Sequence, residues 1–204
     1  MAILNTPAAL KIAAATFGLQ PKTQTFADKL KGSTQTREQP GAVWVARLTI
    51  PPLTTEADWR ELSAWIAEMA GQAGRVYFGP PQAAEPLGTA TGALVNGADQ
   101  TGKSLVVDAM GAGKTLLKGD YFCVDTSVGR ELKIMTADAT ADGSGNATLN
   151  FMPQIRTSPA DNATITVSSP TCIMRFPDDA QGLGHYEPGI TGTFNLDLVE
   201  SFKA

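Results

Sequence analysis

Residues 43–52 read VWVARLTIPP. In an extended chain Trp44, Ala46, Leu48 and Ile50 fall on one side, and Val43, Val45, Arg47 and Thr49 on the other. That period of two describes a strand with one core face. Pro51 and Pro52 end it, because proline has no N–H to give a ladder. A strand needs a partner. The C-terminal stretch GITGTFNLDLVE alternates in the same way, with Phe194, Leu196 and Leu198 on one face and Asn195 and Asp197 on the other. Pairing these two segments makes everything between them an excursion that must return. The chain is therefore expected to leave a first sheet near Pro86, build a second unit, and come back near Pro177. The domains read as 1–90 plus 178–204 for the outer unit and 91–177 for the insertion.

The excursion begins with a helix. In TTEADWRELSAWIAEMAGQAG, Thr55 is placed to cap, and Glu56 and Asp58 sit in the first turn, where the helix dipole favours acids. Trp59, Leu62, Ile66 and Met69 recur at helical spacing with Trp65 beside them, and Gly71 and Gly74 supply the stop. RVYFGPP then reads as a short strand. From about Leu94 to Phe176 only strand-like segments occur: SLVVDA, TLLKGDYFCVD, ELKIMTADAT, NATLNFMP, ATITVSS and TCIMRF. Turn signals at Gly111/Gly113, Gly129, Asp142–Asn146 and Pro159–Asn162 separate them. Short strands so punctuated predict a small barrel or sandwich. The expected fold class is mainly β: a β-sandwich or split-barrel outer domain with one α-helix over about 55–71, carrying an inserted small β-barrel. The first forty residues are polar and read as irregular, with an edge strand and a loop over Thr23, Thr25 and the run to Leu30.

One string argues for a different class of protein. GADQTGKS, residues 97–104, matches the phosphate-binding P-loop pattern, with Gly97, Gly102, Lys103 and Ser104 where it requires them. Gly113-Lys114-Thr115 is a second near match, with Asp108 where its first glycine belongs. A P-loop works because a buried strand precedes it and a helix follows, so that loop amides and the helix N-terminus hold the phosphates. Here Val106-Val107 prefers a strand, and Gly111 and Gly113 break any helix. The four residues read as a decoy, a Gly-rich turn opening the barrel.

Other candidate sites are weaker still. Asp142, Ser144 and Asn146 imitate the start of a calcium loop, but Ala147 stands where glycine is needed and Pro153 where glutamate is. DGSGN reads more simply as a hairpin tip. His185 is the single histidine, which excludes a His-based metal cluster within one chain. Asp178-Asp179 reads as a solvated loop at the domain junction, and Trp59 and Trp65 as core. Cys123 and Cys172 lack metal or redox spacing and read as buried thiols, although a disulfide is geometrically open to them. No catalytic residue, cofactor or metal ligand is assigned.

The net charge of −4, with scattered Lys and Arg, argues against a nucleic-acid partner bound through its backbone. Lys11 interrupts the apolar N-terminal stretch and no basic segment precedes it, so neither a signal peptide nor membrane insertion is expected.

Taken together, PGAVWVARLTIPPL, the helix with paired Trp, GRVYFGPP, ALVNGADQTGKSL, LLKGDYFCV, TADATADGSGNATLNFMPQIRTSPADNATITV, MRF and GITGTFNLDLVE resemble distal or other minor tail proteins of long-tailed bacteriophages, prophages and gene transfer agents. The resemblance runs from about residue 40 onward and is most specific in the middle stretch. It implies a structural virion protein at the tail tip, made in the host cytoplasm, and no enzyme. It implies a homo-oligomeric ring, commonly a hexamer, between tail tube protein and the hub or tip, with DNA passing the lumen unread. The outer domain resembles the ring-forming part and the barrel the peripheral part, and Lys103 is not a required part of the family's loop. An alternative is a minor tail protein whose barrel, residues 93–177, binds a ligand or host surface through Tyr121, Phe122, Phe151 or Phe176. Segments such as Leu19 to Pro40 are expected to be long loops that reach a neighbour and order there.

Overall fold

The computed structural model describes residues 3–28, 32–182, 185–187 and 190–202, with 185–187 and 190–193 described by backbone alone. The chain opens with β1 (Ile3–Leu4), then β2 (Ala14–Ala27) and β3 (Thr34–Ile50), which form one long hairpin. Helix α1 (Glu56–Glu68) follows and leads into β4 (Arg75–Phe78). The next eight strands are β5 (Ala93–Val95), β6 (Gly102–Asp108), β7 (Thr115–Leu116), β8 (Tyr121–Thr126), β9 (Gly129–Met135), β10 (Ala139–Thr140), β11 (Ala147–Ile155) and β12 (Thr164–Thr166). The chain ends with β13 (Cys172–Arg175), β14 (His185–Glu187) and β15 (Ile190–Glu200). The fold is mainly β, with one α-helix among the described residues and a closed, six-stranded antiparallel barrel.

Two strand systems divide the chain. The sheet has the order β1-β4-β13-β15-β3-β2, and β14 pairs with β15. The barrel closes in the order β11-β6-β5-β12-β8-β9, with a small β10–β7 ladder outside it. The pairing of the two alternating segments is observed: β15 lies antiparallel to β3 from Phe194 opposite Ile50 to Val199 opposite Val45. Trp44, Ala46, Leu48 and Ile50 point into the core, as their alternation requires. Phe194, Leu196 and Leu198 meet them there. Helix α1 covers this face with Leu62, Trp65 and Met69, and Trp65 sets its ring edge-on to Phe176 at 6.2 Å. Its start is capped as the sequence indicates, the Asp58 N–H donating to Thr55 Oγ1 at 3.2 Å.

Two expectations need correction. TCIMRF was expected among the barrel segments, yet β13 sits in the sheet between β4 and β15. The barrel's last strand is β12. A short apolar run carries no period by which to choose between two sheets, and Cys172, Ile173 and Met174 are buried on both faces. The polar first forty residues are not irregular either. β2 and β3 pair from Ala14 opposite Thr49 to Ala27 opposite Thr34, across one register shift between Gln20 and Lys22. Both faces of the outer part of this hairpin meet water, so no hydrophobic period marks it. Thr23 and Thr25 do lie in an edge strand, while Leu30 is outside the described residues.

The chain passes between the two units twice, along neighbouring paths. Ser168 Oγ on the returning path donates to Glu85 Oε1 on the outgoing one at 2.7 Å, and Ser169 N donates to Ala84 O. The approach is close enough that a side chain at Gly79 would lie 2.1 Å from the Pro170 carbonyl oxygen. The units also share a core. On β8, Phe122 and Val124 point into the barrel while Cys123, between them, points into the sheet's apolar cluster; Leu132 of β9 joins it.

Candidate assembly surface and the seam between sheet and barrel

The P-loop string is a hairpin connection. Gly97 and Gly102 take φ of +93° and +88°, conformations glycine adopts without a steric penalty, at the two ends of the turn from β5 to β6. The chain after Ser104 continues as strand, with Ser104 opposite Asn150 of β11. The groups a phosphate would need are engaged by the protein. Gly97 N donates to Asp161 Oδ1 at 2.8 Å. Gln100 stitches the turn, its Nε2 donating to Asn96 O and Val106 O while its Oε1 accepts from Val106 N. Lys103 Nζ lies 2.6 Å from Glu38 Oε2 on the β2–β3 hairpin. At the second near match, Gly113 N donates to Ala141 O and Thr115 begins β7, so no helix opens there either.

Asp142 closes its own turn in place of a cation. Oδ1 accepts from Ser144 N at 2.8 Å and Asn146 N at 2.9 Å. Those bonds, with the Asn146 amide on Oδ2, hold the carboxyl below its ordinary value. Among the described residues no group of three His, Cys, Asp or Glu is placed to hold a metal ion. The His185 side chain lies outside the described residues. Cys123 and Cys172 are both free thiols and both buried, and burial pushes both up. Asp179 Oδ1 accepts from Gln72 N, and Asp178 from Ala180 N, in an exposed loop. Phe122, Phe151 and Phe176 are at most 1% exposed, and Tyr121 packs against Phe17 and Trp44. None of those three phenylalanines faces a ligand.

The outer half of the β2–β3 hairpin is the most exposed structure in the molecule. Every described residue over 20–28 and 32–38 is exposed, Phe26 at 53%. From Lys22 opposite Gln39 to Ala27 opposite Thr34 this ribbon projects about 20 Å beyond the sheet. Its cross-strand contacts are polar, such as Gln39 Nε2 donating to Gln24 Oε1 at 2.8 Å. A cleft of about 490 Å³ lies where the ribbon's base meets the barrel, lined by Glu38, Pro40, Lys103, Gln154 and Arg156 among others.

Comparison of the chain with models of known protein families and with curated proteins gives no match.

Behind that cleft is a group of charges that motif and periodicity do not single out. Glu131, Lys133 and Glu200 are buried at 5%, 1% and 6% exposure. Lys133 Nζ donates to Glu131 Oε2 at 2.8 Å and to Gln154 O at 2.9 Å. Glu131 also accepts from the Arg156 and Thr157 amides at 3.2 and 2.9 Å. Glu200, from the sheet, accepts from Trp44 N at 3.0 Å, and Trp44 Nε1 donates across the seam to Leu132 O of the barrel at 2.9 Å. Burial pushes the Glu200 carboxyl from 4.5 to about 7, against the pull of the Trp44 N–H, Arg156 and Lys133. Burial likewise lowers Lys133, against the attraction of Glu131 and Glu200. Arg156 lies 3.4 Å above the Phe202 ring, and its Nη2 is buried without a hydrogen-bond partner. The ring face substitutes for an acceptor. The only trace in the sequence is GRELKIM, which as a strand puts Glu131 and Lys133 on one face. Nothing in the string says that this face is covered.

Among the described residues no helix is long and apolar enough to cross a membrane.

Proposed function

We propose that this chain is a structural protein of a bacteriophage tail tip, a distal tail component that assembles as a homo-oligomeric ring, six-membered in the family it resembles, between tail tube and tip. The observation that carries the reading is the ribbon. A two-stranded ribbon in water is at best marginally stable, and this one exposes both faces over its full reach. A neighbouring subunit that covers it supplies the missing contacts. Ring closure needs two different faces on each subunit, and the ribbon at the β2 edge and the short β1 edge are such a pair. The sequence resemblance points the same way. DNA would pass the lumen without specific contacts.

The reading of the barrel as a host-binding module gains no support from its aromatic residues, which are core. Nucleotide hydrolysis has only the string, whose amides are hydrogen-bonded within the protein. Electron microscopy of the purified protein at high concentration, with a parallel ATP titration, tests the proposal. Closed rings with a central hole and no nucleotide binding are expected. Dispersed monomers with saturable ATP binding that Lys103→Ala abolishes would overturn it.

A further inference from the structure

We propose that Glu200, with Glu131, Lys133 and Arg156, forms a protonation-controlled latch that sets how tightly the barrel closes on the sheet. The proposal is independent of any tail function. Its basis is where the four charges sit. Glu200 comes from β15 of the sheet; Glu131 and Lys133 come from β9 of the barrel; Arg156 follows β11 of the barrel. With all four ionised, two negative and two positive charges share a seam largely closed to water. The other groups facing Glu200 are the Trp44 N–H of β3 and the Cys172 thiol of β13, which is pushed up by burial and by Glu200 itself. The only cations in this set are Lys133 and Arg156.

A buried carboxylate costs free energy unless paired and hydrogen-bonded. In the closed seam Glu200 has one hydrogen bond, from Trp44 N, and two cations that are each shared with Glu131. The neutral carboxyl therefore suits the closed seam, whereas the carboxylate gains from water entering it. The direction follows by linkage. The closed state holds the proton up to about pH 7, and a water-filled seam returns the group to its ordinary 4.5. The closed state thus binds the proton more tightly, so opening becomes more populated as pH rises from 4.5 to about 7 and levels off above. Between about pH 6 and about pH 8 the opening equilibrium should grow about 10-fold.

The test uses the full, ¹⁵N-labelled chain. The Trp44 amide reports the charge of its acceptor, and its shift should titrate with a midpoint near 7. Hydrogen exchange at the Arg156 and Thr157 amides, corrected for the intrinsic rate, should show opening growing over the same range. Both effects should vanish in Glu200→Gln. A Trp44 amide that does not titrate overturns the proposal. So does titration without a change in exchange, or opening that keeps its pH dependence in Glu200→Gln. If Glu200→Gln does not fold, the two wild-type midpoints decide, and their disagreement overturns the latch.

Discussion

Asp120 shows how much one buried side chain organises. It is 3% exposed and accepts from Leu87 N, Gly88 N and Leu117 N at 2.6, 3.0 and 2.8 Å. Those three amides belong to the path leading into the barrel and to the turn before β8. Asp120→Ala removes the acceptors and leaves the amides buried, so it should cost about 3 kcal/mol in urea denaturation. Asp120→Asn keeps one acceptor oxygen and should cost about 1 kcal/mol. Lys103 is the contrast. Its ion pair with Glu38 is half exposed, and such pairs contribute about 0–1 kcal/mol. Lys103→Ala should leave the denaturation midpoint almost unchanged. A loss above about 2 kcal/mol would show that the pair anchors the hairpin more firmly than its exposure implies.

At the scale of elements, the β2–β3 hairpin has two halves with different physics. The inner half, up to Gln20 opposite Val43, lies on the core; the outer half lies on water. Replacing residues 22–39 by a two-residue hairpin turn should therefore keep the fold, with a melting midpoint within a few degrees of the parent. The same variant should form no rings under conditions where the parent does, as seen by electron microscopy. Rings from the shortened chain would remove the ribbon from the assembly surface. Helix α1 and the β3–β15 pair were legible in advance because each carries a period, 3.6 or 2, over several residues. The ribbon was not, because a ladder of backbone hydrogen bonds forms between polar residues without leaving any such period.

At the scale of the molecule, the question is whether sheet and barrel behave as one. Cys123 and Leu132 are barrel residues buried in the sheet's cluster, Trp44 reaches across to Leu132 O, and a buried ionic group lies between the units. Severing them would expose apolar surface on both sides and strand the charges. Calorimetry should accordingly give a single unfolding transition with matching calorimetric and van't Hoff enthalpies. Two resolved transitions would mean that the seam carries little of the stability.

The sequence by itself determined the class of fold, the helix and its cap, the one-sided strands and the pairing of the two that enclose the insertion. Each of these rests on periodicity or local turn chemistry, which is written within a few residues. It also indicated that GADQTGKS lacks the strand–loop–helix setting of a phosphate loop, because β-branched residues and glycines follow it. Only the tertiary structure decided that TCIMRF belongs to the sheet, that the polar N-terminal region is a projecting ribbon, and that Glu131, Lys133, Arg156 and Glu200 meet. The physical reason is common to all three. Burial and partnership are relations between segments up to 156 residues apart, as in the bond from Trp44 to Glu200, and no local pattern records them.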